Sequence, residues 1–303
     1  MSLRPILETR RAKPTMEGAG VKLHRAFGFQ DPSELDPFLL FDDFRNDRPE
    51  DYQAGFPWHP HRGIETITYV LNGSVEHGDS LGNEGTLNAG DVQWMTAGSG
   101  ILHQEMPAGN AKGEMHGFQL WGNLPGSQKM VTPRYQDVEG TEIPEIIDDD
   151  GTRVKVIVGS FWGKTGPVDG IAADPQYLDI YIPSSVKKTF KVDTYRRAFA
   201  YVFNGEAAFA DASIPTGVLL EKEVMGEEVN IRDMSGDRTL IRFGTGDEVT
   251  VQAGPNGVRF LLISGAPIEE PVAWHGPIVM NTREELMQAF AELKNGTFIK
   301  PAH

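Results

Sequence analysis

Histidines and carboxylates at two-residue spacing are the first feature of this sequence that points to chemistry. His59 and His61 begin the run HPHRGIETITYVLNG, and His103 and Glu105 repeat the spacing in ILHQEMP. Side chains at positions i and i+2 of a strand point to the same face of a sheet. Three imidazoles and a carboxylate from two neighbouring strands can therefore converge on one divalent cation.

The carboxylate of such a site has two candidates. If residues 58–71 form one extended strand, Glu65 lies on the same face as His59 and His61, among apolar neighbours. Glu105 accompanies His103 by the same argument. Strand spacing alone does not choose between Glu65 and Glu105.

The composition limits the function classes. The 303 residues contain no cysteine, which excludes disulfides and thiolate catalysis and leaves imidazole and carboxylate as metal ligands. The formal charge of −15, from 43 acidic and 28 basic residues, disfavours direct binding to nucleic acid, because phosphate binding requires a positive field. We find no signal peptide and no apolar run long enough to span a membrane. We therefore expect a soluble cytoplasmic protein that binds neither nucleic acid nor membrane.

Strand and turn signals recur throughout the first 145 residues. The runs ETITYVL, SVEHGD, DVQWM and HGFQLW are separated by glycine-rich turns, and Asn72-Gly73 is a hairpin signal. Strands at this spacing predict an antiparallel sandwich or barrel. We predict an irregular arm over residues 1–20 and a segment over residues 31–44 that begins at a helix-capping Ser33 and covers a sheet.

A second all-β pattern follows the acidic, turn-rich stretch GTEIPEIIDDDG, which predicts two domains, 1–145 and 146–303. Its segment YVFNGEAAF echoes YVLNGSVEH of the first half, but no histidine lies between Lys155 and Gly265. We therefore predict a structural second copy without a metal site. The chain should end in an amphipathic helix over residues 282–295, with Thr282 and Glu285 as a capping box and Gly296 as the stop.

Two segments carry a family resemblance. GFPWHPHRGIETITYVLNG resembles the first cupin motif, and GDVQWMTAGSGILHQEMP the second, in the form found in the pirin family. HGFQLWGNLP and GPIVMNTREEL are also similar to pirin segments, so the resemblance covers essentially the whole chain. It implies an all-β bicupin, in which two antiparallel cupin-type β-barrel domains are followed by a short C-terminal α-helix. It also implies that only the N-terminal barrel holds a metal.

The same resemblance implies a ligand set of His59, His61, His103 and Glu105 around one divalent metal, usually Fe(II). Zinc, nickel, manganese, cobalt and copper are other ions that could occupy such a site. Pirins are similar to one another in using the glutamate two residues after the later histidine, whereas ordinary cupins use the one four residues after the histidine pair. We accordingly expect Glu105 as ligand and candidate base, and Glu65 as a residue that orients a ligand or lines the pocket.

Two function classes are consistent with the resemblance. The first is a non-haem iron dioxygenase of the quercetin 2,3-dioxygenase type, taking dioxygen and a small aromatic or enolic substrate such as a flavonol. Glu105 would then remove the proton of the substrate hydroxyl, dioxygen would attack the ring, and carbon monoxide would leave. The second is a non-enzymatic, iron-dependent co-regulator that binds a transcription factor or a metabolic enzyme. The sequence leaves open whether the protein is an enzyme.

We expect structural roles for the remaining candidates. His77 and His116 have neighbours suited to a pocket wall, but hydrogen-bonded structural histidines are the better interpretation. The other residues with an expected structural, solvated or core role are His24, His275, His303, Trp94, Met95, Phe118 and Trp121.

Overall fold

The computed structural model describes residues 2–29, 32–212, 221–224, 227–230 and 234–300. The first half of the chain contributes strands β1 (Ile6–Arg11), β2 (Lys13–Glu17), β3 (Val21–Phe27), β4 (Phe38–Asp43), β5 (Phe56–His61), β6 (Ile64–Asn72), β7 (Ser74–Asp79), β8 (Glu84–Leu87), β9 (Val92–Thr96), β10 (Ile101–Ala108), β11 (His116–Asn123) and β12 (Arg134–Val138). The second half contributes β13 (Glu145–Ile147), β14 (Arg153–Val158), β15 (Ser160–Phe161), β16 (Lys164–Thr165), β17 (Gln176–Ile182), β18 (Lys187–Lys191), β19 (Arg197–Phe209), β20 (Glu221–Val224), β21 (Glu227–Asn230), β22 (Thr239–Phe243), β23 (Glu248–Gly265), β24 (Ala273–His275), β25 (Ile278–Met280) and helix α1 (Arg283–Asn295).

Three large antiparallel sheets contain most of these strands. A seven-stranded sheet, in the order β12-β9-β6-β11-β4-β3-β2, and a four-stranded sheet, β5-β10-β7-β8, enclose the interior of the first half. Apolar side chains of both sheets meet there, among them Leu23, Val70, Val75 and Leu87. The second half is built on an eight-stranded sheet, β1-β22-β19-β23-β17-β14-β13, with β18 paired to the long strand β23. The all-β prediction with one terminal helix is confirmed.

The two halves pack back to back through reciprocal hydrogen bonds. The outer face of the seven-stranded sheet and the facing side of the eight-stranded sheet share one apolar core. Tyr69 of the first half donates to Asp179 Oδ2 of the second at 2.7 Å, and Tyr201 donates to Asp43 Oδ2 of the first at 3.0 Å. Tyr69 and Tyr201 begin the two similar YV(L/F)NG segments, so both copies place a tyrosine in the interface between the halves.

Each end of the chain crosses to the other half. Strand β1 pairs with β22 in the eight-stranded sheet, whereas β2 pairs with β3 in the seven-stranded sheet. At the other end, Val279 of β25 is buried in the first half beside Ile64. The irregular arm expected over residues 1–20 is therefore wrong, because its alternating side chains form two strands. The division at residues 145 and 146 stays a prediction.

Local signals succeed where turn or cap chemistry is explicit. β6 ends at Asn72 and β7 begins at Ser74, with Gly73 at a φ of 78° that favours glycine. Thr282 and Glu285 form the predicted capping box of α1, and Gly296 ends the helix at φ 71°.

The cover predicted over residues 31–44 is wrong, because the run from Phe38 is buried on both faces as strand β4 of the sheet itself. In the described part of the chain, none of the helices has the length and apolar character to cross a membrane.

Candidate metal centre

Three histidines converge because strands β5 and β10 are neighbours. His103 of β10 is the direct cross-strand partner of His59, and Ile101 pairs with His61. Antiparallel partners on one face bring their side chains together. One ring nitrogen from each of His59, His61 and His103 lies within 4.8 Å of the others. This set of imidazoles could hold a divalent metal ion.

Two backbone carbonyls fix the orientation of the histidine rings. His59 Nδ1 lies 2.9 Å from the carbonyl oxygen of Pro57, and His61 Nδ1 lies 3.2 Å from that of Pro277. Because a carbonyl only accepts, each Nδ1 carries the proton and each Nε2 presents a lone pair. The two Nε2 atoms face each other at 3.1 Å. A cation bound to both nitrogens would satisfy these facing lone pairs.

His103 is buried with both ring nitrogens unpaired among the described residues. Its side chain is 1% exposed, and neither ring nitrogen has a hydrogen-bond partner among the described residues. Burial, together with the neighbouring histidines, lowers the pKa of both His61 and His103 well below the usual value. Both rings are therefore neutral at pH 7, the form in which imidazole ligates a metal. The unpaired nitrogens of the neutral His103 ring fit a divalent ion.

Glu105 lies on the same strand as His103 but outside the histidine cluster. Its carboxylate is 4% exposed and accepts from Thr68 Oγ1 at 3.0 Å. Gln119 Nε2 donates to both of its oxygens, at 3.1 and 3.0 Å. The side chain therefore points into the interior between the two sheets, where it contacts Thr68 and Gln119 of the seven-stranded sheet.

Glu65 does not share a face with the histidines, contrary to the expectation from parity. Gly63, at φ 74°, turns the chain from the four-stranded sheet into the seven-stranded sheet, so alternation does not continue from β5 into β6. Glu65 follows the parity of Ile67 and Tyr69, which face the second half. Thr96 Oγ1 donates to Glu65 Oε1 at 2.7 Å. Burial raises the pKa of this carboxyl to about 6.

Replacing Glu65 by glutamine should raise the free energy of unfolding at pH 8 by about 2 kcal/mol. The raised pKa means that the folded state holds an extra proton between pH 4.5 and about 6, so wild-type stability falls as pH rises through that window. Glutamine stays neutral and keeps an oxygen for Thr96. Urea unfolding of both metal-free proteins at pH 4 and pH 8 measures the difference. An equal gain at the two pH values would contradict the assignment.

The C-terminal segment completes the surroundings of the histidines. Lys129, 1% exposed, donates from Nζ to the carbonyl of Gly63 at 2.9 Å, to Asn123 Oδ1 at 2.7 Å and to the carbonyl of Val279 at 3.1 Å. It thus ties the turn after His61 to strand β25, close in sequence to the Pro277 carbonyl that orients His61. Burial lowers the pKa of Lys129 to about 7.

Arg62 anchors the same segment from the other side. Its Nε donates to the carbonyl of Ser99 at 2.7 Å and its Nη2 to that of Phe298 at 2.9 Å. Nη1 pairs with Glu292 Oε2 of α1 at 2.8 Å, and the guanidinium lies 4.2 Å from the centre of the Phe298 ring. The residue that follows His61 therefore connects the candidate centre to the terminal helix.

An Arg62→Met variant should lose roughly 1–3 kcal/mol of stability for each of the two buried carbonyls, those of Ser99 and Phe298, that it leaves without a donor. Lys300→Met is the matched control, since Lys300 reaches the same Glu292 oxygen at 2.8 Å but is 33% exposed. That variant should lose at most about 1 kcal/mol. Urea unfolding measures both, and equal losses would show that Arg62 is not a buried anchor.

The other histidines lie outside the cluster. His77 is buried, with Nε2 3.0 Å from Gln93 Nε2, and stacks on Tyr135. His116 packs edge-on against Phe118 and Phe203, and burial lowers its pKa to about 3. His24 contacts Arg238 and His275 contacts Phe290, while His303 is outside the described residues.

Of the aromatic candidates, one contacts the centre. Trp94, Met95, Phe118 and Trp121 are all buried core residues, as predicted. Trp121 packs edge-on against the His61 ring at 5.1 Å and donates from Nε1 to Gln119 Oε1. Sequence reasoning missed Gln119 and Thr68. The available signal was a polar side chain inside each of the apolar strands HGFQLW and ETITYVL, which indicates a polar group facing a site.

Known proteins share the fold and much of the sequence. A family model described as Pirin matches residues 20–122, and one described as Pirin C-terminal cupin domain matches residues 177–299. A pirin-like protein of Caulobacter vibrioides is 42% identical over 98% of this chain and 100% of its own length. A protein of Pseudomonas aeruginosa with the provisional name quercetin 2,3-dioxygenase is 37% identical over 97% of both chains.

A solved structure extends the comparison to the whole fold. The 1.88 Å crystal structure of quercetin 2,3-dioxygenase from Acinetobacter baumannii matches with a TM-score of 0.83 at 29% identity, over 98% of this chain and 99% of that one. Together with the two family models, this match confirms the predicted pair of cupin domains.

Proposed function

This chain belongs to the pirin family, and we propose that it is an iron-dependent dioxygenase that cleaves flavonols such as quercetin. The observation that carries the proposal is the histidine cluster, in which two Nε2 lone pairs face each other and the nitrogens of His103 are unpaired. The relatives named quercetin 2,3-dioxygenase support the substrate class.

We assign the metal to His59, His61, His103 and Glu105. A set of imidazoles and a carboxylate suits Fe(II), and also binds nickel, zinc or copper, so the ion is part of the proposal. When bound, the metal supplies Lewis-acid polarisation of the 3-hydroxyl oxygen of the flavonol. His59 is the partly exposed member of the cluster, so the substrate approaches from the side of β5.

Glu105 receives the proton of the substrate hydroxyl in this proposal. Thr68 and Gln119 donate to its oxygens and leave further lone-pair positions on the carboxylate. The apolar residues Ile64 and Ile101, both fully buried, belong to the same cluster as Trp121, which packs on the His61 ring. A dry surrounding strengthens each electrostatic contact and limits side reactions.

The test is an aerobic assay of protein loaded with Fe(II). We expect oxygen uptake and carbon monoxide release in equal amounts with quercetin, and no reaction with a matched flavone that lacks the 3-hydroxyl. If loaded protein consumes no oxygen with any member of a flavonol panel, the enzyme proposal is wrong. The non-enzymatic co-regulator would then become the better interpretation of the metal site.

A further inference from the structure

A row of polar side chains crosses the seven-stranded sheet at one register. Gln119 of β11 lies between Thr68 of β6 and Asp42 of β4, and the row continues to Gln93 beyond Thr68 and to Arg25 beyond Asp42. Directly paired residues share a face of the sheet. Glu105 contacts the row from the opposite sheet, so this face is the interior of the first half. Such a polar row in a buried face needs a complete set of hydrogen-bond partners.

Gln119 is the centre of this row, and its amide has a fixed orientation. Its Oε1 accepts from Trp121 Nε1 at 3.1 Å. An indole nitrogen only donates, so it selects the amide orientation in which the oxygen faces Trp121. The amide NH2 then faces Glu105 and donates to both carboxylate oxygens. Trp121 thereby determines that Gln119 presents donors to the carboxylate.

We propose that Gln119 is a positioning residue that sets the direction in which Glu105 presents its carboxylate to the metal centre. The glutamate side chain has several rotatable bonds and can adopt several rotamers, and here Gln119 and Thr68 hold its end by three donated hydrogen bonds. Trp121 contacts both His61 and Gln119, so one indole connects a histidine of the cluster with the amide that holds the carboxylate. The inference rests on the proposed metal site and adds Gln119 to the residues that determine its geometry.

The test uses Co2+ as the probe, because its visible absorption reports coordination geometry independently of any turnover. Gln119→Glu keeps the shape of the side chain and replaces the donors by acceptors, and Gln119→Leu removes them. We expect both to weaken Co2+ binding by about 10–100-fold and to change the absorption spectrum. Trp121→Phe, which frees the amide to rotate, should change the spectrum in the same direction.

Gln93→Leu is the matched control. Gln93 lies in the same row and is 2% exposed, but its amide reaches His77 and Asp137 instead of Glu105. This variant should keep the wild-type affinity and spectrum. Wild-type affinity and spectrum in folded Gln119→Glu and Trp121→Phe proteins would overturn the inference. Failure of the wild-type protein itself to bind one Co2+ would instead overturn the proposed metal centre, and the inference with it.

Discussion

We expect a His103→Ala variant to bind no stoichiometric metal and to remain folded. His103 lies opposite His59, and its removal leaves two imidazoles where three converged. The ring makes no hydrogen bond with the described residues, so its loss costs packing alone, in the range of about 1–3 kcal/mol. The free energy lost should therefore be small while metal binding disappears.

The measurement is the metal content per chain after anaerobic loading with Fe(II) and removal of excess ion, alongside circular dichroism and urea unfolding. His77→Ala is the matched control, because His77 is also buried and inward on the four-stranded sheet but lies outside the cluster of His59, His61 and His103. It should retain one metal per chain. Full metal content in His103→Ala would remove His103 from the site.

Much of the fold was predictable because strands, turns and caps leave local signals. The alternation in residues 64–72, the Asn72-Gly73 turn and the Thr282–Glu285 capping box each depend on neighbours in sequence, and each appears where expected. The similar YV(L/F)NG segments also predicted two related halves. The histidine pair could be placed on one face because His59 and His61 lie within one strand.

The rest depended on contacts between segments that are distant in sequence. Parity predicts a shared face only within one strand, and the turn at Gly63 ended that strand before Glu65. The carbonyl of Pro277 is 216 residues from His61, and Gln119 is 14 residues from Glu105 on another sheet. Burial then changed chemistry that sequence cannot show, as in the pKa of Glu65, raised to about 6.

The packing of the halves gives a mechanical role to the second half, which has no histidine between Lys155 and Gly265. Its Asp179 accepts from Tyr69 of β6, and its Tyr201 donates to Asp43 of β4. β6 and β4 both flank β11, which carries Gln119 and Trp121. The second half therefore braces, from behind, the strands whose inner face holds the Glu105 carboxylate. Loss of a ligand set in one copy leaves that packing function intact.

The second large effect distinguishes the two carboxylates. Glu105→Gln should weaken divalent metal binding by more than the roughly 10–100-fold typical of a residue that only supports a ligand, because it removes the negative charge of the proposed carboxylate ligand. Glu65→Gln should leave metal binding unchanged, since Glu65 follows the face of β6 that packs on the second half. The two substitutions are chemically identical and both sites are buried, so each is the control for the other.

Competition with a chelator of known affinity measures both constants at pH 7, where each variant is compared with the wild type at the same ionic strength. Thr68 and Gln119 still find an oxygen on glutamine at position 105, so the Glu105→Gln protein should fold. The reverse result, with weak binding only in Glu65→Gln, would make Glu65 the carboxylate ligand. Glu65 would then have to lie on the opposite face of β6. Equal, unchanged binding in both variants would mean that the three histidines hold the ion without a carboxylate.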